Sequence, residues 1–220
     1  MKAGSEERVL LDVPFYPNTT GDGNQCFQVS MQSAMKYYLD RDVSVSELDR
    51  RTNKKEGKGT WTPQIVPTLY NSGLNVRYYS KTDLKPYLEG EPFIRRQYGA
   101  NADHILELTD IGALVDSVKI LMKYDLFEIK ILDVEMMRAH LREKHLLLIL
   151  LDWNKVISRT DRPYQGHMGV LTGFDRDNFY FHNSGPANPT PNMQIPKDRL
   201  IEAWNANGTD NDIVVVYGKR

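Results

Sequence analysis

The chain has 220 residues, of which 40% are hydrophobic and 26% are charged, with 28 Lys and Arg against 29 Asp and Glu. This length and balance predict one folded domain with a substantial core and argue against a disordered chain. A formal net charge of −1 gives no electrostatic reason to expect nucleic acid or an anionic membrane surface as a partner.

The N-terminal stretch "MKAGSEERVLLDV" has a short apolar run between acidic residues and no small-residue cleavage site. We therefore expect no signal peptide and a cytoplasmic location, or a secreted protein if a leader has been removed. The longest apolar run, from Leu146 to Leu151, is too short to cross a bilayer, so we expect no membrane insertion.

The first predicted helix starts near Cys26, and its apolar residues recur at helical spacing. We expect one face of this helix to be buried along its length, through Phe27, Met31, Ala34, Met35 and Tyr38. A short second helix follows, with Ser44 or Ser46 as its N-cap. A third has Thr62 as N-cap, Pro63 in its first turn and Gly73 as its end.

A strand is predicted for "LNVRYYS", and the segment from Thr82 to Asp125 has a mostly helical pattern. A further strand is predicted over residues 126–132. Asp133 then caps a helix that buries Val134, Met137 and Leu141.

The last third is rich in strand-like runs, namely "HLLLILLDW", "GHMGVLTGF", "NFYFHNS" and "DIVVVYG". The second and third runs are joined by "DRD" and predict a hairpin, and Pro196 opens one late helix. Helices followed by an antiparallel sheet indicate an α+β fold. We place a helical N-terminal lobe at about residues 20–125 and a sheet lobe at about 126–220, with a cleft between them.

Cys26 is the chain's single cysteine, so it cannot form an internal disulfide. It follows the glycine-containing loop "GDGNQ" and stands at the predicted helix start. Unpaired N–H groups and the helix dipole stabilise a thiolate there, so we expect a lowered thiol pKa and a nucleophilic role. A lone cysteine is otherwise most often a small buried hydrophobe.

A catalytic cysteine needs a base, and His167 is the histidine that opens a strand at the mouth of the predicted sheet. His104 lies in the least readable segment and His182 inside a strand. His140 and His145 flank a helix end and are expected to be solvated or capping. We assign them little weight as a metal pair because no third ligand is apparent nearby.

The hairpin returns to Asn183, which it brings beside His167. Because neighbouring strand residues face opposite ways, His182 and Asn183 cannot both face that ring. We therefore select Asn183 to orient the imidazole, and set aside Asp175 and Asp177 at the far end of the hairpin. Trp204 either shields this pair from water or anchors the last helix in the core.

These segments in order resemble the papain-like cysteine peptidases, and in particular the bacteriocin-leader-processing (double-glycine) peptidases and their stand-alone relatives. The resemblance is carried by "VPFYPNTTGDGNQCFQVSMQSAMKYY", "DVEMMRAHLREKHLLLILLDW", "GHMGVLTGFDRDNFYFHNSGP" and "PKDRLIEAW". It implies a papain-like fold, a peptide or protein substrate and a thiol hydrolase. No cofactor or metal is required for that reaction.

The same resemblance implies an oxyanion donor upstream of the cysteine. Asn18 and Gln25 are the candidates, together with the backbone N–H of Cys26. We favour Asn18, because Gln25 directly precedes the nucleophile. The family more often has Asp and Gly beside the cysteine and Asp in place of Asn183. A non-catalytic peptide-binding domain, an acyltransferase and an amidase therefore remain alternatives on the same scaffold.

Overall fold

A computed structural model describes residues 7–19, 23–159 and 161–220. Residues 20–22, in the loop before Cys26, and the first six residues of the N-terminal stretch discussed above lie outside the described residues. The helices are α1 (Cys26–Leu39), α2 (Val45–Arg51), α3 (Thr62–Asn71), α4 (Glu91–Tyr98), α5 (Ala102–Leu108), α6 (Ile111–Lys123), α7 (Val134–Arg142), α8 (Trp153–Val156) and α9 (Lys197–Trp204).

The strands are β1 (Val9–Leu10), β2 (Leu74–Ser80), β3 (Phe127–Ile129), β4 (Leu146–Asp152), β5 (Gly166–Phe174), β6 (Asn178–Asn183), β7 (Thr190–Pro196) and β8 (Ile213–Lys219). They form one sheet in the order β3-β2-β8-β4-β5-β6-β7, with β1 paired to β5. All pairs are antiparallel except β2 with β3. The predicted α+β class is therefore confirmed.

The sheet draws strands from both halves of the chain, since β2 lies between β3 and β8. The β4 strand is central, and every residue from Leu146 to Asp152 is buried. The lobe boundary at about residue 125 stays a prediction.

Helix α1 is buried on more than the one face that its apolar spacing predicted. It packs against β5 and β8 on one side and against α2 and α3 on the other. Polar residues are buried as well, and the Gln28 side-chain amide donates to the hydroxyls of Thr52 and Thr60. The sequence pattern underestimated this burial because the polar positions are satisfied by partners that are distant in sequence.

The helix caps follow the sequence closely. Ser44 accepts a hydrogen bond from the Glu47 N–H and Asp133 accepts one from Met136, as predicted. The third helix starts one residue earlier than expected, because Trp61 is its N-cap and the Gln64 side chain accepts the Trp61 N–H.

Two strand predictions were wrong in extent. The strand expected over residues 126–132 is only Phe127–Ile129, because it lies at the sheet edge and pairs with β2 alone. The β7 strand was missed because Pro191 and Pro196 interrupt its pattern; an edge strand tolerates proline. No helix in the described part of the chain combines the length and apolar character needed to cross a membrane.

Candidate active site

Cys26 is the first residue of α1, which is the longest helix among the described residues, and Gln25 is its N-cap. The residue is half-buried and its thiol is free of any disulfide. Burial raises the pKa of the Cys26 thiol. The backbone N–H groups of Met168, Phe27 and Cys26 and the charge of Lys54 act in the opposite direction.

The expectation of a lowered thiol pKa was therefore wrong in sign. The favourable groups are present, but the loss of water around the sulfur outweighs them. Lys54 belongs to "RTNKKEGKG", whose charges suggest only a solvated loop. Its electrostatic effect on Cys26 depends on the tertiary fold and has no local signal.

The β5–β6 hairpin brings His167 and Asn183 together. The His167 Nε2 and the Asn183 Oδ1 are 3.1 Å apart, and both residues are buried. Asp175 lies at the other end of the hairpin, where it accepts hydrogen bonds from the backbone N–H groups of Asp177 and Asn178. Their position in the turn agrees with the prediction that neither aspartate orients His167.

The hydrogen bonds of Asn183 determine the tautomer of His167. Asn183 Nδ2 donates to the Asn188 carbonyl at 2.9 Å, and Asn183 Oδ1 accepts the Gly185 N–H at 3.1 Å. The atom facing His167 is thus a carbonyl oxygen, which can only accept. His167 Nε2 must carry the proton, so in the neutral ring Nδ1 has a free lone pair, as a base requires.

The imidazole of His167 is enclosed by aromatic rings. Its centroid lies 4.9 Å from the Trp153 ring and 6.0 Å from the Phe181 ring. Burial lowers the pKa of His167 to about 4, although the hydrogen bond to Asn183 opposes this. The ring that shields the pair is Trp153, not Trp204, which is buried in α9.

At rest, therefore, both Cys26 and His167 are neutral at pH 7. The Met168 N–H that favours the Cys26 thiolate belongs to the residue directly after His167, which places the sulfur beside β5. Within the described structure, the side chains of Cys26 and His167 are not hydrogen-bonded to each other, and the partner of His167 is Asn183. In a thiol hydrolase, a neutral pair of this kind would exchange its proton as the sulfur attacks.

His182 faces away from this pair, as strand alternation predicted. Its Nε2 donates to the Val13 carbonyl at 2.9 Å, and its Nδ1 accepts the Asn192 N–H at 3.1 Å. Both nitrogens are engaged by backbone groups, so His182 ties the N-terminal segment and β7 to the sheet.

The two oxyanion candidates are both buried but differ in their partners. Asn18 Nδ2 donates to the Gly23 carbonyl at 2.8 Å, and the Asn18 N–H donates to the Ser184 carbonyl at 2.7 Å. The side-chain oxygens of both residues are buried without a partner among the described residues. The amide nitrogens differ, because the Gln25 Nε2 donates to no described residue. Asn18 thus joins the loop before α1 to the loop after β6, whereas the Gln25 amide is unengaged beside Cys26.

Tyr164 is a site residue that the sequence did not identify. A Cβ on Gly166 would lie 2.6 Å from the Tyr164 hydroxyl, so the Tyr164 ring packs directly over the backbone next to His167. The pKa of Tyr164 is raised by burial and by nearby groups that include Asp212 and Cys26. Tyr164, which is 43% exposed, is therefore within electrostatic range of both the thiol and Asp212.

Asp212 is a buried acid at the same end of the sheet. It directly precedes β8, and its backbone carbonyl accepts the Leu150 N–H. Its Oδ1 accepts the Tyr78 hydroxyl at 2.6 Å, and burial raises the pKa of Asp212 to about 7. Its sequence signal is weak, because an acid before an apolar strand normally lies at an exposed strand end.

A cavity of about 300 Å³ adjoins Asn183. Its apolar wall includes Trp153 and Met193, and its polar wall includes Arg159 and Gln165. Cys26 and His167 are not among the residues that line it, so the cavity reaches the proposed site only at Asn183.

The expectation that His140 and His145 lack a third ligand was wrong. Glu143 lies beside them, and the ligand atoms of the three residues are all within 4.8 Å of one another. They lie at the start of β4, whereas Asp152 at its end pairs with Gly166, next to His167. Because β4 has seven residues, this cluster is about 20 Å from the catalytic candidates.

Comparison of the structure with solved structures supports the fold. It is similar to a C39-like peptidase from Bacillus anthracis, with a TM-score of 0.55 and 11% sequence identity over 98% of this chain and 99% of that chain. The peptidase domain of Streptococcus ComA, a bi-functional ABC transporter of a quorum-sensing pathway, also matches. Its TM-score is 0.49, at 12% identity over 97% of this chain and 100% of that chain. The predicted papain-like, C39-type fold is confirmed.

Comparison of the sequence with protein families identifies the family of the chain. No curated protein is matched by the full sequence. A family model described as "Guanylylate cyclase" matches residues 25–216 and so covers Cys26, His167 and Asn183. Because this match spans most of the chain, the protein belongs to the guanylylate cyclase family, here with the fold of a C39-like peptidase.

Proposed function

We propose that this protein is a thiol hydrolase that cleaves a peptide or isopeptide bond with Cys26, His167 and Asn183. The observation that carries the proposal is the buried 3.1 Å contact between His167 Nε2 and Asn183 Oδ1. It leaves Nδ1 unprotonated, and the residue after His167 lies against the Cys26 sulfur. A buried imidazole held in one tautomer, on a strand that borders the cysteine, is consistent with the base that nucleophilic catalysis requires.

The reaction follows from these protonation states. As the Cys26 sulfur attacks the substrate carbonyl carbon, its proton passes to His167 Nδ1 and a carbon–sulfur bond forms. The imidazolium then donates that proton to the leaving amine as the carbon–nitrogen bond breaks, which leaves a thioester. Water, deprotonated by His167, attacks the thioester, and the thiol regains its proton as the acid is released.

The neutral Cys26–His167 pair becomes charged only when a substrate carbonyl is present to accept the negative charge. Because burial raises the thiol pKa and lowers the imidazole pKa, the resting site disfavours separated charges. In the reaction, negative charge develops on the carbonyl oxygen as the thiol proton passes to His167. We assign the oxyanion to the Gln25 side-chain amide and the Cys26 N–H, because the amide of Asn18 is engaged by Gly23.

The family match supports a second candidate, the cyclisation of a guanylyl nucleotide. In that reaction a ribose hydroxyl of GTP attacks the α-phosphorus as pyrophosphate leaves, and cations beside the negatively charged phosphate oxygens stabilise the transition state. Lys54, near Cys26, and Arg159, in the wall of the cavity, are cations that phosphate groups would need. The desolvated His167–Asn183 pair fits acyl transfer better, and for this reason we place hydrolysis first.

One experiment separates these candidates. The purified chain and Cys26→Ala are incubated with a peptide library, and separately with GTP and Mg²⁺ or Mn²⁺, and the products are identified by mass spectrometry. Hydrolysis predicts peptide cleavage that Cys26→Ala abolishes. Cyclic nucleotide formation that survives in Cys26→Ala, without peptide cleavage, would establish the second candidate. Transfer of an acyl group to an added amine would indicate an acyltransferase, and peptide binding without turnover a binding domain.

A further inference from the structure

We propose that His140, Glu143 and His145 form a Zn²⁺ site at the turn between α7 and β4. The site is separate from the proposed catalytic residues and does not depend on the proposed function. Its first support is the separation of the two imidazole nitrogens, since His140 Nδ1 and His145 Nδ1 are 3.2 Å apart. Two nitrogens bound to one tetrahedral Zn²⁺ at about 2.05 Å each stand roughly 3.3 Å apart.

The third ligand has a matching distance. Glu143 Oε2 lies 3.5 Å from His145 Nδ1, and the three ligand atoms are all within 4.8 Å of one another. Two imidazoles and one carboxylate leave a fourth position for water, as in known open zinc sites. The nitrogen ligands favour Zn²⁺ over Ca²⁺ or Mg²⁺, which prefer oxygen ligands.

The backbone holds the three ligands without metal. His140 lies in the last turn of α7, Glu143 is its C-cap, and the His145 N–H donates to the His140 carbonyl at 2.9 Å. Tyr38, on α1, donates to the Lys144 carbonyl at 2.8 Å and accepts the Leu146 N–H at 3.0 Å. The turn is thus fixed from a second element, which reduces the entropy lost on metal binding.

Tyr217 of β8 restrains the rings themselves. Its ring lies 5.7 Å from that of His140 and 4.9 Å from that of His145, in edge-on geometry. The Tyr217 hydroxyl is in turn hydrogen-bonded to that of Tyr79 at 2.8 Å. A metal at this position would therefore join α7, β4 and the face of β8.

The local charges set the expected strength of binding. Glu143 contributes a negative charge, and Lys130 lies close enough to act electrostatically on His140. The positive charge of Lys130 repels a Zn²⁺ ion at this site, so removal of Lys130 should tighten metal binding.

The simplest competing explanation for the short contact between His140 Nδ1 and His145 Nδ1 is a hydrogen bond without metal. In that case one Nδ1 is protonated and the other is not.

The test uses the full chain, treated with chelator, and ZnCl₂ as the probe. A Cys26→Ser background is used so that the thiol cannot provide a ligand. We expect one Zn²⁺ per chain by calorimetry and an unfolding midpoint that rises with added Zn²⁺. His140→Gln and His145→Gln should each weaken binding by more than the 10- to 100-fold typical of losing a supporting group.

Three further variants sharpen the test. Glu143→Gln, a change at an exposed side chain, should weaken binding while leaving the fold of the chelated protein unchanged. Lys130→Gln should tighten binding, and His104→Gln, on exposed α5, should leave it unaltered. The proposal is overturned if the parent binds no Zn²⁺, or if Zn²⁺ binds equally well to a folded His140→Gln, His145→Gln double variant.

Discussion

The two histidine sites at opposite ends of β4 differ most in their access to water. His167 is 7% exposed and enclosed by Trp153 and Phe181. The side chain of His145 is 18% exposed and adjoins the exposed Glu143. Dry surroundings and a carbonyl partner fix one proton on His167, which suits a base. A half-exposed pair of facing nitrogens with a carboxylate suits a cation. The same residue type therefore serves different chemistry according to burial and partner.

The largest expected effect is on turnover, and it distinguishes the histidines at the two ends of β4. His167→Gln removes the proposed base and should lower turnover by about 1,000-fold or more. His140→Gln, at the other end of β4, should leave turnover of chelated protein within about twofold of the parent. Steady-state rates on a peptide identified in the library screen provide the measurement. Equal losses in both variants would contradict the assignment of the base.

Replacement of the orienting residue should have the next largest effect. Asn183→Ala removes the acceptor that keeps the proton on His167 Nε2, and we expect turnover to fall on the order of 100-fold. Asn183→Asp retains an acceptor oxygen at this position and should recover much of the rate.

His182→Gln is the matched control in the same strand. It breaks the contacts with Val13 and Asn192, so it should lower the midpoint of thermal unfolding while each folded molecule keeps its rate. If Asn183→Ala slowed turnover no more than His182→Gln does, Asn183 would have no orienting role.

A third prediction concerns the oxyanion. Gln25→Ala should reduce turnover by about 100-fold without a change in substrate binding, because the donor acts on charge that develops in the transition state. Asn18→Ala should act mainly on stability, since it breaks the contact with Gly23. The ratio of kcat to KM in each variant distinguishes the two roles. If Asn18→Ala lost more kcat than Gln25→Ala, Asn18 rather than Gln25 would be the oxyanion donor.

The last prediction concerns stability rather than turnover and involves Asp212. Its pKa of about 7 in the fold lies above the ordinary value of 3.8. Between about pH 4 and 7 the folded state retains a proton that the unfolded state releases, so this group's contribution to the free energy of unfolding falls as pH rises. Asp212→Asn keeps an oxygen for the Tyr78 hydroxyl and removes this dependence.

Relative to the parent, Asp212→Asn should therefore gain on the order of 3 kcal/mol of stability between pH 4 and pH 8. Urea unfolding at several pH values measures the difference. The exposed Asp198→Asn is the control and should follow the parent. Profiles of parent and Asp212→Asn that run parallel would show that Asp212 ionises normally in the fold.

Local signals in the sequence were sufficient for much of the fold. Caps such as Ser44 and Asp133, the start of α1 at Cys26 and the hairpin that joins His167 to Asn183 all depend on residues close in the chain. The β7 strand was not predicted, because its two prolines are unusual in strands and are tolerated only at a sheet edge.

What could not be predicted depends on residues that are distant in sequence. Burial of Cys26 reverses the expected direction of its pKa shift, and burial depends on the whole fold. Trp153 and Asp212 come to the site because they adjoin the paired strands β4 and β8. Tyr164 is close to His167 in the chain, but it belongs to no recognisable motif. Glu143 is the exception, because it is local to His140 and His145 and its spacing was visible.

The most direct test of the central claim is the rate at which iodoacetamide alkylates Cys26 between pH 5 and 9, measured by mass spectrometry in the parent and in His167→Gln. If His167 accepts the thiol proton, its neutral ring is available throughout this range, and the parent should show a nearly constant rate below about pH 8. His167→Gln should instead show a rate that rises about tenfold per pH unit, as expected for an unassisted thiol. Superimposable profiles that both rise with pH would contradict the account.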